Sequence, residues 1–213
     1  MLHDIYMKRQ RHLSTAGFRS LMLVFLVGAA GTLRASIDFE GFPDSTTLAA
    51  QYPGLTFTNA IILTAGISLN EFEFPPHSGV NVASDNGGPI TIDFATPITS
   101  FSGYFTYIEP LTLTGFDVMN SNVVSANSLF LSNDALFGDL GSSPNEVIQI
   151  AFGGGISSVT ITGDPAGSSF VMDDVTYTTA STTPTPEPSS GPALMLPITL
   201  IIFLQWRRAL DKS

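Results

Sequence analysis

The sequence predicts an all-β protein, an antiparallel β-sandwich of jelly-roll type flanked by an N-terminal signal helix and a C-terminal hydrophobic helix. Three observations support this prediction. Short runs rich in Ile, Val, Thr, Phe and Tyr follow one another from Ile37 to Tyr177, and none has the sustained i, i+3, i+4 spacing of a helix. Turn-forming residues separate these runs. Several runs alternate apolar and polar residues, as a strand with one buried face does.

Ten strands are predicted, at residues 37–40, 55–64, 80–83, 90–94, 101–108, 111–118, 123–131, 147–152, 159–162 and 170–178. Ile90, Ile92 and Phe94 form one apolar side of the fourth strand, and Leu111 with Leu113 does so in the sixth. The triple glycine at 153–155 is predicted to be a hairpin turn, because no Lys follows it as in a phosphate-binding loop.

Charges are segregated along the chain. The 213 residues include 8 Lys or Arg and 18 Asp or Glu, for a net charge of −10. No Lys or Arg lies between residues 36 and 185, and Asp4, Glu187 and Asp211 are the acids outside that stretch, so fifteen acids lie inside it. This balance argues against nucleic acid as a partner. The carboxylates must therefore pair with backbone N–H groups, water or a bound cation.

The N-terminus has the layout of a secretory signal peptide, predicted for residues 1–35. Basic residues extend to Arg19, an apolar run covers 21–30, and a segment with small residues ends at Ala35. About ten apolar residues are too few to cross a bilayer of about 30 Å. An ordinary buried helix is the alternative, and Met7 is an alternative start. Cleavage after Ala35 gives a β-sandwich domain at 36–178.

The C-terminus combines a Pro/Thr/Ser linker at 179–190 with a hydrophobic segment and basic tail at 191–213. The apolar run from Ala193 to Trp206 predicts a hydrophobic helix of about 21 Å, which is short for a membrane span. Trp206 stands beside two arginines, as in an interfacial anchor.

This tail resembles the PEP-CTERM sorting signal of bacterial exosortase substrates. The resemblance rests on a tripeptide, an apolar segment and a basic end, which supply the predicted sorting motif Pro186, Glu187, Pro188, Arg207 and Arg208. It implies export, transient retention in the inner membrane, cleavage by an exosortase-type processing enzyme, and release to the cell surface or an exopolysaccharide matrix. A plain C-terminal membrane anchor is the alternative.

Four carboxylates form a candidate metal site. Asp38 and Glu40 lie on the first predicted strand, and Asp173 and Asp174 on the last. First and last strands are often neighbours in sandwiches, so these carboxylates are expected to converge. Because no Lys or Arg lies in this part of the chain, a structural Ca²⁺ is their natural partner. The short stretches around them resemble the ends of carbohydrate-binding jelly rolls that hold such an ion. Strand alternation predicts that Asp173 and Asp174 face opposite sides. The alternative is carboxylates that are solvated or accept backbone N–H bonds in turns.

No catalytic residue is predicted. His77 follows two prolines and is interpreted as part of a surface turn, because the sequence has no nucleophile elbow. Tyr52, Tyr104 and Tyr107 are the possible sugar-stacking platforms, with core packing as their alternative. The sequence therefore predicts an exported, non-catalytic structural or adhesive protein. A Ca²⁺-dependent lectin-like module is the first alternative, and a polysaccharide-active hydrolase is the second.

Overall fold

The computed structural model describes residues 33–179, and this part of the chain is entirely β-structure and loops. Its strands are β1 (Arg34–Ile37), β2 (Thr47–Leu48), β3 (Leu55–Thr58), β4 (Ala60–Thr64), β5 (Asn81–Asp85), β6 (Ile90–Tyr107), β7 (Thr112–Phe116), β8 (Asn122–Asn127), β9 (Glu146–Thr162) and β10 (Phe170–Thr179). Across residues 33–179 no helix is long and apolar enough to cross a membrane. Most of the predicted signal peptide, and the linker and sorting tail beyond Thr179, lie outside the described residues.

All named strands pair antiparallel, which confirms the predicted fold class. Their order is β2-β4-β5-β10-β6-β9-β7-β8, with β1 also on β10 and β3 also on β6. The first and last strands are neighbours, as predicted, with Arg34 opposite Thr178 and Ile37 opposite Val175. β1 starts at Arg34, one residue before the predicted cleavage residue, Ala35, and both of these residues pair with β10.

Two long strands connect the halves of the sheet, where shorter strands were predicted. β6 has 18 residues and β9 has 17, and each joins two of the predicted strands into one. The ladder between them shifts register between Asp93 and Ser100, where both strands bend. One half of β6 thus pairs with β3, and the other half pairs with β10.

The prediction of a hairpin turn at residues 153–155 is wrong. This triple glycine lies inside β9, opposite the bend of β6. Gly155 has a φ of 97°, and a Cβ there would lie 3.2 Å from Cβ of Pro97. A left-handed backbone that closely approaches its neighbour suits glycine, so the residues bend the strand instead of reversing it.

A single main core lies between the two halves of the bent sheet. Ile90, Ile92 and Phe94 are buried in it, as are Leu111 and Leu113, which confirms the predicted apolar sides of these two strands. Its largest fully buried side chains include Tyr107, Phe39, Phe101, Phe105 and Phe170.

The sandwich has two ends, which we call proximal and distal. At the proximal end the chain enters and leaves side by side, because the Thr179 N–H donates to the Leu33 carbonyl. At the distal end β10 begins, with Phe170 opposite Tyr107. Two long loops matter for the site: the β4–β5 loop, residues 65–80, and the β8–β9 loop, residues 128–145. The Asn133 N–H donates to the Tyr107 carbonyl, so the β8–β9 loop lies at the distal end.

Candidate functional site

His77 lies against the sheet, at the centre of a polar cluster. Its ring stacks on Tyr104 of β6, with centroids 3.4 Å apart and planes 15° apart. Its Nδ1 is 2.6 Å from Oδ2 of Asp174 on β10. His77 therefore lies in an exposed loop, as predicted, and its ring is in addition fixed against Tyr104 and Asp174. The Asp174 contact spans 97 residues of sequence, so no local signal could have revealed it.

Asp173 accepts three backbone hydrogen bonds from within a buried position. Its Oδ2 accepts the N–H groups of His77 at 2.8 Å and Ser78 at 2.9 Å, and its Oδ1 accepts the Asp174 N–H at 2.7 Å. Burial raises the pKa of Asp173 to about 6, although these N–H donors act in the opposite direction. The nearby Asp174 carboxylate also raises this pKa.

Asp173 and Asp174 turn to the same loop, so the predicted placement on opposite faces is wrong. Asp174 has a φ of 42°, and the ladder with β6 shifts register between Asp173 and Thr176. This bulge breaks the strand alternation. Asp174 consequently bonds to the His77 ring and also accepts the Ser78 hydroxyl at 3.0 Å.

Glu40 binds the end of the β4–β5 loop, just after the residues that Asp173 and Asp174 bind. Its Oε1 accepts the N–H groups of Val80 at 2.9 Å and Asn81 at 2.8 Å. Gly79, with a φ of 54°, leaves room for this carboxylate, which a Cβ would contact directly. Glu40 and the β10 aspartates thus converge on residues 77–81, as the neighbouring first and last strands predicted. Asp38 instead accepts the Glu40 N–H at 3.3 Å.

The four predicted metal ligands do not form a calcium-binding group. Asp173, Asp174 and Glu40 direct their oxygens at N–H groups, a hydroxyl and an imidazole. Within residues 33–179 no group of three or more His, Cys, Asp or Glu side chains is arranged to hold a metal ion. Calcium stays a prediction of the sequence, and the geometry favours the alternative in which the carboxylates accept backbone N–H bonds.

Asp85 is a second buried carboxylate, and the sequence did not reveal it because the predicted strand at 80–83 ends before it. It ends β5 and accepts the Ser169 N–H at 2.9 Å, the Ser169 hydroxyl at 2.9 Å and the Phe170 N–H at 3.1 Å. Burial raises its pKa, and these bonds act against that shift. Asp85 therefore fixes the start of β10 through hydrogen bonds from Ser169 and Phe170.

The β8–β9 loop has a polar inside and an apolar outside. Asn133 is fully buried; its Oδ1 accepts the Tyr107 N–H, and its amide donates to the carbonyls of Phe105 and Ser143. Asp134 accepts the N–H groups of residues 136 and 137, and Asp139 accepts that of Leu131. Five exposed side chains of this loop are large and apolar: Leu129, Leu131, Leu136, Phe137 and Leu140.

Two of the three candidate sugar platforms are covered. Tyr107 is buried and donates to Glu146, and His77 covers one face of Tyr104. Tyr52 packs edge-on against Phe42 and lines an open cleft of about 340 Å³ that also includes Thr56 and Asp93. Burial raises the pKa of Tyr52 to about 12. The volume of this open cleft falls within the range of small-ligand pockets.

Comparisons with known proteins concern the fold. No family model matches the chain, and no curated protein matches it. The K2 cleaved adhesin domain of Lys-gingipain is similar over 68% of this chain and 99% of its own, with 12% identity and a TM-score of 0.44. A family 29 carbohydrate-binding module, in mutant form, is similar over 75% of this chain and 99% of its own, with 7% identity and a TM-score of 0.37. A family 11 carbohydrate-binding module from Clostridium thermocellum, solved with a β-1,3-1,4-mixed-linked tetrasaccharide, is similar over 68% and 94%, with 12% identity and a TM-score of 0.32.

Proposed function

We propose that this chain is an exported, non-catalytic protein of the bacterial cell surface or exopolysaccharide matrix, with a structural or adhesive role. In this proposal, residues 1–35 direct export, and an exosortase-type enzyme processes the tail at Pro186, Glu187 and Pro188 after transient retention in the inner membrane. Arg207 and Arg208 then provide the basic end of the sorting signal.

The observation that carries the non-catalytic part is the self-contained cluster at His77. The Ser78 hydroxyl donates to Asp174 and not to the imidazole, so Ser78 lacks the base that a nucleophilic serine needs. Asp173 is engaged by three N–H donors. Every polar group of this cluster with a described partner serves to hold the β4–β5 loop on the sheet.

Mass spectrometry of the mature surface protein tests the export and sorting part. The expected species runs from near Ser36 to near Glu187. A surface species that retains Ser213 would contradict sorting and favour the plain membrane anchor. A control with Pro186, Glu187 and Pro188 all changed to Ala should keep its tail and remain with the inner membrane.

Saccharide binding is a second candidate function, and the cleft beside Tyr52 is the observation that favours it. An aromatic ring edge, a hydroxyl and a carboxylate around about 340 Å³ suit a short neutral glycan. A glycan array with and without EDTA tests it. EDTA-sensitive binding would support the calcium-dependent lectin alternative, and binding lost in Tyr52→Ala but insensitive to EDTA would support the cleft. Hydrolysis of exopolysaccharide would instead identify the hydrolase.

A further inference from the structure

The outer surface of the β8–β9 loop is unusually apolar for a domain of this charge. We call the side chains of Leu129, Leu131, Leu136, Phe137 and Leu140 the apolar loop face. Leu129 is 78% exposed and Phe137 is 80% exposed. Burying such side chains removes apolar area from water, so five on one loop mark an interaction surface.

This exposure belongs to a fixed loop. Asn133, fully buried, connects the loop to β6 through both its side chain and its backbone N–H. The carboxylate of Asp139 accepts the Leu131 N–H at 2.8 Å, which brings Leu131 beside residues 139–140. Asn133 and Asp134 of the loop are thus buried, and the five large apolar side chains remain outside.

The charges near the face select the kind of partner. Asp139 lies within the loop, and Glu109 follows two residues after Tyr107; both are exposed. Within residues 33–179 the single Lys or Arg is Arg34, at the proximal end. A complementary partner is therefore an apolar stretch with adjacent basic residues, and a second copy of this acidic domain is disfavoured by repulsion.

The chain itself contains such a segment. Ala193 to Trp206 is apolar, and Arg207 and Arg208 follow at once. A fully extended stretch of thirteen residues, the number from 180 to 192, spans about 40 Å. The ten residues of β10 cover about 30 Å between the proximal and distal ends. The segment can therefore reach the apolar loop face from Thr179.

We infer that residues 191–213 of the unprocessed chain dock on the apolar loop face, with Ala193–Trp206 against the Leu and Phe side chains. Arg207 and Arg208 lie beside Asp139 and Glu109 in this arrangement. The domain covers its own tail until the tail is transferred to a membrane or removed, and removal uncovers the face. The inference requires only that the tail is present, so its failure leaves the proposed sorting intact.

Trp206 reports the docked state directly, because it is the only Trp in the chain. In the full 213-residue chain at low concentration, docking gives a short-wavelength emission maximum and protection from acrylamide. The double change Phe137→Ser with Leu140→Ser should shift the emission to longer wavelength and increase quenching several-fold. Arg207→Ser with Arg208→Ser should give a smaller shift in the same direction.

The matched control changes exposed apolar residues elsewhere. Val118 and Met119, at the β7–β8 turn, are 78% and 81% exposed, and Val118→Ser with Met119→Ser should leave Trp206 protected. Circular dichroism checks that all variants stay folded. Equal Trp206 quenching in the Phe137/Leu140 variant and the unchanged chain would overturn the inference. Protection that disappears on dilution would also overturn it, in favour of contact between two copies.

Discussion

The two long loops of this domain are held in opposite ways. The β4–β5 loop is held from outside, by Glu40 near β1 and by Asp173 and Asp174 on β10. The β8–β9 loop is held largely from inside, by its own Asn133, Asp134 and Asp139. In both loops acidic or amide oxygens accept backbone N–H groups, because nearby Lys and Arg are lacking. Both loops leave large apolar side chains exposed, including Ile67 and Phe72 in the first. They differ in that the first loop places His77 against the sheet, and the second exposes five such side chains.

The largest effect is expected from replacing Asn133, the buried residue that connects the β8–β9 loop to β6. Asn133→Ala leaves the Tyr107 N–H and the carbonyls of Phe105 and Ser143 without a side-chain partner in a buried site. Each unsatisfied group costs about 1–3 kcal/mol, so the free energy of unfolding should fall by about 3–5 kcal/mol in urea titrations. Asn127, whose side chain is exposed and accepts one hydroxyl, provides the control. An equal loss in Asn127→Ala would contradict the special role of Asn133.

The next effect is a pH dependence of stability, which tests the role of Asp173 in holding the β4–β5 loop. Between pH 4 and pH 6 the folded chain keeps a proton on Asp173 that the unfolded chain has released, because the pKa rises from 3.8 to about 6. The free energy of unfolding should therefore fall by about 2–3 kcal/mol as pH rises through this window, and level off above it. Asp85, whose pKa is also raised, adds to the same trend.

Asp173→Asn removes this titration and should flatten the profile in urea titrations at pH 4 and pH 7. Asp93→Asn, a change at an exposed carboxylate, serves as the control and should keep the slope. A slope that Asp173→Asn leaves unchanged would show that other acids cause the trend.

A smaller effect is expected at the other end of the β4–β5 loop. Glu40→Ala removes the acceptor of the Val80 and Asn81 N–H groups and should cost about 1 kcal/mol. Glu40→Gln keeps an acceptor oxygen and should cost less. Amide hydrogen exchange at Val80 and Asn81 measures the local change. The same loss in both variants would indicate that the charge matters and the acceptor does not.

The smallest effect concerns calcium. Because the predicted ligands Asp38, Glu40, Asp173 and Asp174 bond mainly to the protein itself, CaCl₂ and NaCl at matched ionic strength should raise the melting temperature equally, by screening alone. A clearly larger rise with Ca²⁺ would restore the site predicted from the sequence, since binding to the native state stabilises it.

Local sequence signals predicted most strands and the buried sides of two, but missed β2 and the division of the predicted strand 55–64 into β3 and β4. The contacts that join distant elements also escaped them. The alternation at Ile90, Ile92 and Phe94 is a local property, and all three are buried. The bulge at Asp174 depends on a positive φ that no pattern around it indicates. The glycines at 153–155 permit a turn or a bend, and the pairing with β6 decides between them.

The position of the candidate site was predictable from the sequence, but the groups that its carboxylates bind were not. Neighbouring first and last strands brought Glu40 and Asp173 to one region, as the sandwich topology indicated. They hold the backbone of residues 77–81, which lies 40 to 96 residues away in the sequence, and no local pattern pairs it with them. No sequence feature distinguishes Asn133 from other loop asparagines, because its structural role depends on burial that only the folded loop creates.

The side-by-side entry and exit of the chain have a mechanical consequence. β10 carries the tether at Thr179, and it is hydrogen-bonded to β1, β5 and β6. A force applied between Thr179 and the β8–β9 loop at the distal end acts along β10. It therefore shears the hydrogen bonds of several β10 ladders together and does not break them one after another. Rupture under such a load depends on the rate of unfolding. Single-molecule pulling between Thr179 and Leu140 should therefore need much more force than pulling between Leu33 and Thr179, where β1 can unzip from β10 pair by pair.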